Sequence, residues 1–469
     1  MTGLYLYIQW MYNHPYAAAT WTLSDWKGFL DGLAALGFDL VQIWPMIDTM
    51  PVPPTRSDLR HLAKLRRVIR YAHSRHRFTV VIGAGANTAA GPRARSYPFS
   101  RRPYFEAEEL VDPADRGAVS ELMERRRRLL EPLAEADGFW VLDCDPGGFP
   151  GATSEQFLFL LSEHRRLLDS LRPGIELVYW MWAGWRETSF EESWQNAPQD
   201  AWREVIAALV RRAPEPWRVN ACWPGHFLTL AEQGQLHRAL YFPYNALEYE
   251  PSFPLTNWQP GPQDPLPAAL RRIPAQDHPL GVMANAQSHC LQLPHIYLFS
   301  HLAQGRPLSS LDLPGFASRL LPAAAEPLSR GWCALAAAEP QPMEQARAEL
   351  ARLSPRSLRP GELGGLLFAS PRRLIRDLIL QLDTMASLAR IRLLHSQDAD
   401  PRPALRRFYT AASRWQQRHG FADWARGPFI STLHSTLEPL IPGISSLPFD
   451  PRHGYSLRLL QAVKNAAGA

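Results

Sequence analysis

Lysine is almost missing from this chain. Only Lys27, Lys64 and Lys464 stand among its 50 basic residues, and the other 47 are arginine. A formal charge of +5 and an isoelectric point near 9.1 would suit a polyanionic partner. Arginine used throughout in place of lysine is, however, a habit of composition, and no recognition motif accompanies it, so nucleic acid is set aside. The densest run, Arg125 to Arg128, falls in an amphipathic helix and reads as a solvated face. Cysteine is scarce too. Cys144, Cys222, Cys290 and Cys333 lack metal-ligand spacing and read as buried thiols in a reducing cytoplasm, so neither a metal nor a cofactor is expected. No window approaches eighteen apolar residues, which argues against a membrane span. The N-terminus has no basic region followed by a long apolar core and a cleavage site, and the expectation is a cytoplasmic protein. There is no G-x-S-x-G elbow and no P-loop, and Met-Tyr-Asn-His-Pro follows the first strand where a dinucleotide fold would have glycines.

What is present centres on Gly138 to Gly151, G-F-W-V-L-D-C-D-P-G-G-F-P-G. Phe139 to Leu142 is a short apolar run that reads as a strand buried on both faces. Asp143 and Asp145 follow two residues apart, so a continuing strand would point both carboxylates the same way, about 6 to 7 Å apart. Pro146, Gly147 and Gly148 then end the strand in a bare turn. Carboxylates at the exit of a buried strand suit acid/base chemistry at the C-terminal face of an α/β barrel, although Asp before Pro and Gly also bonds turn amides.

Seven further strand-like runs can be read: Leu4–Trp10, Asp39–Trp44, Arg77–Ile82, Glu176–Trp182, Arg218–Cys222, Ala239–Phe242 and Leu280–Ala284. Helical patterns separate them. One is capped by Thr22 or Ser24, a second by Ser57, and others lie near residues 113–136, 154–171, 201–212, 226–234, 265–272 and 293–303. Eight strand-then-helix units are the count a (β/α)8 TIM barrel requires. The fold expected is therefore an α/β barrel over residues 1–305, followed by an all-helical C-terminal region over 306–469. Large apolar residues in that region, from Leu374 and Ile375 to Met385 and Leu388, exceed what one small bundle buries and predict packing on the barrel or on a second subunit. A long third loop, Thr88 to Val111, carries Tyr97, Phe99, Tyr104 and Phe105, and loops of this length are usually functional.

The strand exits supply Trp10, Trp44, Asn87, Asp143, Asp145, Trp180, Trp182, Trp223, Tyr244, Asn285 and Gln287, with Glu248 and Glu250 in the loop after strand seven. Aromatics, amides and carboxylates are the groups that bind sugars, by stacking on C–H faces and bonding hydroxyls. Trp180 and Trp182 share one parity and are expected to face the pocket. Glycoside hydrolysis heads the chemistry such residues run.

The run Trp21-Thr-Leu-Ser-Asp-Trp-Lys-Gly-Phe-Leu-Asp-Gly-Leu-Ala-Ala-Leu-Gly-Phe-Asp39, together with Asp143-Cys-Asp-Pro-Gly-Gly148, resembles the barrel domains of the α-glucuronidase and β-N-acetylhexosaminidase groups of glycoside hydrolases. The resemblance implies Asp143 or Asp145 as general acid. In hexosaminidases the neighbouring acid orients a substrate acetamido group, but the pair here is Asp-x-Asp, and the sugar stays unassigned. Two readings result. One is an exo-acting glycosidase of a carbohydrate substrate, with Asp145 as proton donor, Asp143 as its partner and Glu248 or Glu250 as a second carboxylate; the other is a catalytically silent saccharide-binding barrel.

Overall fold

The computed structural model describes residues 1–8, 14–144, 147–149, 151–182, 201–212, 217–242, 280–286, 290, 292–419, 428–447 and 455–468. Its strands are β1 (Thr2–Tyr7), β2 (Leu40–Trp44), β3 (Thr79–Gly85), β4 (Thr88–Ala90), β5 (Glu108–Leu110), β6 (Gly138–Leu142), β7 (Glu176–Met181), β8 (Trp217–Ala221), β9 (Ala239–Tyr241) and β10 (Gly281–Ala286). All but β4 and β5 form a closed barrel in the order β1-β10-β9-β8-β7-β6-β3-β2. Neighbouring strands pair in parallel, with Gly83 opposite Trp140 and Leu142 opposite Trp180. The eight expected strands are thus present, each within a few residues. The third loop adds what the sequence did not disclose, an antiparallel ribbon in which Thr88 pairs with Leu110.

Between the strands lie α1 (Leu23–Ala35), α2 (Arg56–Tyr71), α3 (Tyr104–Ala107), α4 (Arg116–Leu130), α5 (Ser154–Leu171), α6 (Ala201–Arg212) and α7 (Pro224–Glu232). Then come α8 (Leu293–Ala303), α9 (Leu313–Leu320), α10 (Ala325–Ala337), α11 (Pro340–Ala351), α12 (Pro371–Ser396), α13 (Arg402–His419), α14 (Pro428–Leu437) and α15 (Tyr455–Ala467). The helix expected near 265–272 lies outside the described residues. Thr22 caps α1 with a full capping box to Asp25. Thr55 caps α2 in the same way with Asp58. Ser57, the expected cap, instead accepts the Phe99 amide at 3.1 Å.

Two compact units divide the chain. Among the described residues, the first comprises the barrel strands and α2 to α7. Its interior is filled by aromatic rings: Trp180 lies 4.9 Å from Tyr5, Trp140 and Phe242, centroid to centroid, in edge-to-face arrangements. Trp140 fits because Gly83 beside it has no side chain; a Cβ there would sit 2.2 Å from the indole. The space left by this glycine is filled by the tryptophan.

The second unit holds α1 and the helices from α8 onward. Trp21, Trp26 and Phe29 pack there with Phe368, and Gly28 meets Gly365 backbone to backbone. The apolar residues of α12 named above are buried in the single chain. The helices α9, α10 and α14, unread in the sequence, enlarge the bundle that covers them. Among the described residues no helix is long and apolar enough to cross a membrane.

Candidate functional site

β6 ends at Leu142, and the chain bends at Asp143 and Cys144. Asp143 brings the bend about by accepting the Cys144 amide at 2.7 Å, a local bond that competes with the sheet ladder. β6 therefore stops just short of Asp143. Asp145 itself lies outside the described residues, as do Trp10, Tyr244, Glu248, Glu250 and Gln287.

The Asp143 carboxylate is fully buried. It also accepts the Tyr179 hydroxyl at 3.0 Å and the Trp182 amide at 3.2 Å, which clamps the exit of β6 to that of β7. Burial, and then the adjacent carboxylate, push the Tyr179 phenol well above its ordinary range, so it stays a donor. Asn87, at the β3 exit, donates to the Gly148 carbonyl at 2.7 Å and the Val111 carbonyl at 2.8 Å. Gly147 and Gly148 both take positive φ. A side chain at Gly147 would meet the Asp143 carbonyl at 3.0 Å, so glycine there lets the turn close over the strand end.

Trp182 and Trp223 extend this cluster. Their rings are 5.5 Å apart at 33°, and the Trp223 indole donates to the Trp182 carbonyl at 2.9 Å. His226 fixes the β8 exit by accepting the amides of Cys222 and Trp223, at 3.1 and 3.3 Å, through Nδ1. Burial holds this imidazole down to about 3, hence neutral and able to accept. Asp143, Asn87, Trp182 and Trp223 are thereby one connected group. Trp180 is different: its ring belongs to the barrel interior and its indole N–H points to the Cys222 sulfur at 3.1 Å.

Trp44 lies on the β2 side, against Tyr7, Tyr104 and Trp140. Beside it is a carboxylate that sequence reading missed. Asp48 is buried and accepts four donors on one oxygen: the Tyr104 hydroxyl at 2.9 Å, the Thr88 hydroxyl at 3.2 Å, and the Trp44 indole and Gly85 amide at 3.3 Å each. Its other oxygen is buried with no partner among the described residues. Asn285 is also buried, with a carbonyl oxygen that has no partner among the described residues and no described contact to either cluster.

The loop carrying Tyr104 is bolted down by a buried ion pair, Arg102 to Asp58 at 2.8 Å, and by Arg102 donating to the Thr49 carbonyl at 3.0 Å. Arg126 corrects the reading of its run as a solvated face. Arg125, Arg127 and Arg128 pair with Glu121 and Glu124 on the surface, whereas Arg126 is buried and donates to the Ala86 and Thr88 carbonyls at 3.1 and 2.9 Å and to His164. It falls on the inward stripe of α4 with Val119, Leu122, Met123 and Leu130. Burial lowers it to about 10, so it remains a cation at neutral pH. Cys333, unlike the other three cysteines, is exposed.

Burial pushes the Asp48 carboxyl up, against the pull of Arg126 and its own hydrogen bonds. A carboxyl raised in the folded state contributes stability that is present below its unfolded pKa, about 3.9, and is lost as pH rises through the folded value. Asparagine can accept the same donors and does not ionise. Asp48→Asn is therefore expected to match or exceed the wild type in stability at about pH 7, with the difference shrinking or reversing toward about pH 4. Denaturant unfolding at the two pH values checks this, and a variant less stable at the higher pH by more than about 1 kcal/mol contradicts it.

No family model matches the sequence, and no curated protein sequence is significantly similar to it. Solved structures with a similar fold include a mutant of an O-GlcNAc hydrolase from Thermobaculum terrenum, at 10% identity over 96% of this chain and 98% of that one, with a TM-score of 0.46. A GH138 enzyme targeting pectin rhamnogalacturonan II is 8% identical over 99% of this chain and 66% of its own, TM-score 0.49. Dispersin B is 11% identical over 65% of this chain and 98% of its own, TM-score 0.35. Each is a likeness of fold at low identity.

Proposed function

We propose that the protein hydrolyses glycosidic bonds at the C-terminal face of its barrel, with Asp145 as general acid. In this reading Asp143 is a positioning residue. The observation that carries the reading is the clamp on Asp143: a buried carboxylate with three donors holds the β6 and β7 exits together beside the Trp182–Trp223 pair. In this reading the acid two residues beyond such an anchor acts beside Trp182 and Trp223, the kind of aromatic pair suited to a sugar ring. Glu248 or Glu250 is the proposed second carboxylate, and Trp44, Asn285, Tyr244, Trp10 and Gln287 are proposed ligand contacts. The substrate is a carbohydrate, cleaved from one end of the chain. A screen of nitrophenyl glycosides tests this, and the wild type is expected to release nitrophenol from at least one.

The saccharide-binding alternative draws on the same clamp. Every described bond to Asp143 holds a lone pair that proton transfer would need, so this residue alone does not supply chemistry. A barrel that binds monosaccharides yet hydrolyses none of the glycosides would be the silent binder.

Trp180 on β7 and Trp182 just beyond it should differ in their effect on binding. Trp180→Ala removes a ring from the interior and is expected to cost about 3 to 5 kcal/mol of stability. Trp182 is buried nearly as deeply, so Trp182→Ala is expected to cost stability too, but it should in addition weaken binding of the hydrolysed glycoside by roughly tenfold, the scale of one lost stacking contact. KM and unfolding measured on both variants check the split, and an unchanged KM for Trp182→Ala removes it from the site.

A further inference from the structure

The second unit carries a groove of about 500 Å³ between α11, α12 and α13, remote in sequence from every strand exit. Small residues open it: Ala386 and Ser387 on α12 face Ala404 and Ala411 on α13, and these short side chains leave a trench that longer ones overhang. Five arginines line it against two acids. Both acids are already engaged, Asp383 with Arg347 at 3.0 Å and Glu344 with Arg390 at 3.3 Å. That leaves Arg406, Arg407 and Arg414 on the α13 wall. Arg406 donates to the Ala467 carbonyl at 3.0 Å. Arg407 and Arg414 are exposed and have no carboxylate partner among the described residues.

The sequence of α13 explains the imbalance. It holds five arginines and no acid, and its neighbours answer only part of that charge: Arg402 pairs with Asp400 at 2.8 Å, the same carboxylate attracts Arg406, and Arg418 pairs with Asp377. Residues 407, 410, 411 and 414 follow the i, i+3, i+4, i+7 spacing of one helical face, so Arg407 and Arg414 stand about 10 Å apart with the Thr410 hydroxyl and the small Ala411 between them. Two long cationic forks thus flank a concavity floored by short side chains, with the Thr410 hydroxyl turned to the Arg406 carbonyl at 2.9 Å.

We propose that this groove binds a compact phosphorylated molecule with at least two phosphate groups, held between the guanidinium groups of Arg407 and Arg414. Charge selects phosphate over carboxylate. Each phosphate monoester carries roughly −1.5 to −2 at neutral pH, so a phosphate facing each of Arg407 and Arg414 meets its guanidinium with more charge than a carboxylate brings. The planar forks match phosphate oxygens two at a time.

Calorimetric titration of the full chain with inorganic tripolyphosphate at low ionic strength tests this. One saturable site is expected. Arg407→Ala and Arg414→Ala should each weaken binding by roughly tenfold, the scale of a lost charge-assisted hydrogen bond. Arg352→Ala/Arg356→Ala removes the same charge from exposed positions outside the groove and should change affinity less than about twofold, since only diffuse attraction is lost. All of these side chains are exposed, so the variants are expected to fold, and circular dichroism checks it. Three results overturn the proposal: no saturable binding, equal loss in the Arg352/Arg356 variant, or trigalacturonate binding as tightly as tripolyphosphate.

Discussion

Gly83→Ala is expected to destabilise the barrel by on the order of 3 kcal/mol, a large effect for the addition of one methyl group. The new Cβ would lie 2.2 Å from Cδ2 of Trp140 and 2.2 Å from the Trp140 carbonyl oxygen. Neither neighbour can give way easily. The indole is fully buried among Tyr5, Trp44 and Trp180, and the carbonyl belongs to the β6 backbone paired with β3. Interiors packed this closely pass the strain to surrounding strands. Shrinking the ring in a Gly83→Ala/Trp140→Leu double variant should recover only part of the loss, because the contact with the carbonyl persists. Urea unfolding of the three proteins checks this, and a single variant within about 0.5 kcal/mol of wild type would show that the two strands are not held so tightly.

The barrel was legible because each of its strands is an apolar run closed by a polar or glycine-containing exit, and because Thr22, one of the two caps offered for the first helix, stands three positions before Asp25. The β4–β5 ribbon was not. Its strands have three residues each, too few for alternation to register, and they pair across a long intervening loop. Arg126 shows a pattern hidden by its neighbours. Its place on the apolar stripe of α4 can be counted from Val119 and Leu122, but three flanking arginines make the run look uniformly solvated.

The candidate site was legible as residue types and less so as roles. Asn87 was singled out as a strand-exit amide, and in the fold it braces the glycine turn. Trp180 has the parity expected of it, but the side its parity selects is the barrel interior. Asp48 gave no local signal at all. Its partners come from Thr88 and Tyr104, far along the chain, and a carboxylate saturated on one oxygen is a product of tertiary structure.

Asp145→Asn is expected to lower turnover by at least about a hundredfold, the usual scale for losing a general acid, while leaving the fold unchanged. Asparagine keeps the size and hydrogen-bonding capacity of the side chain but has no proton to give a leaving-group oxygen. Asp143→Asn should behave otherwise. One oxygen of Asp143 accepts the Cys144 amide and shares the Trp182 amide, while the other accepts the Tyr179 hydroxyl; an amide nitrogen in the second place cannot accept that hydroxyl, so the variant is expected to lose stability together with activity. The direct test is nitrophenol release by wild type, Asp145→Asn and Asp143→Asn, measured side by side with their unfolding midpoints on the glycoside that the wild type cleaves fastest. The account predicts an active wild type, a folded and nearly inactive Asp145→Asn, and a destabilised Asp143→Asn; a folded Asp145→Asn with undiminished turnover, or a wild type that cleaves no glycoside, would contradict it.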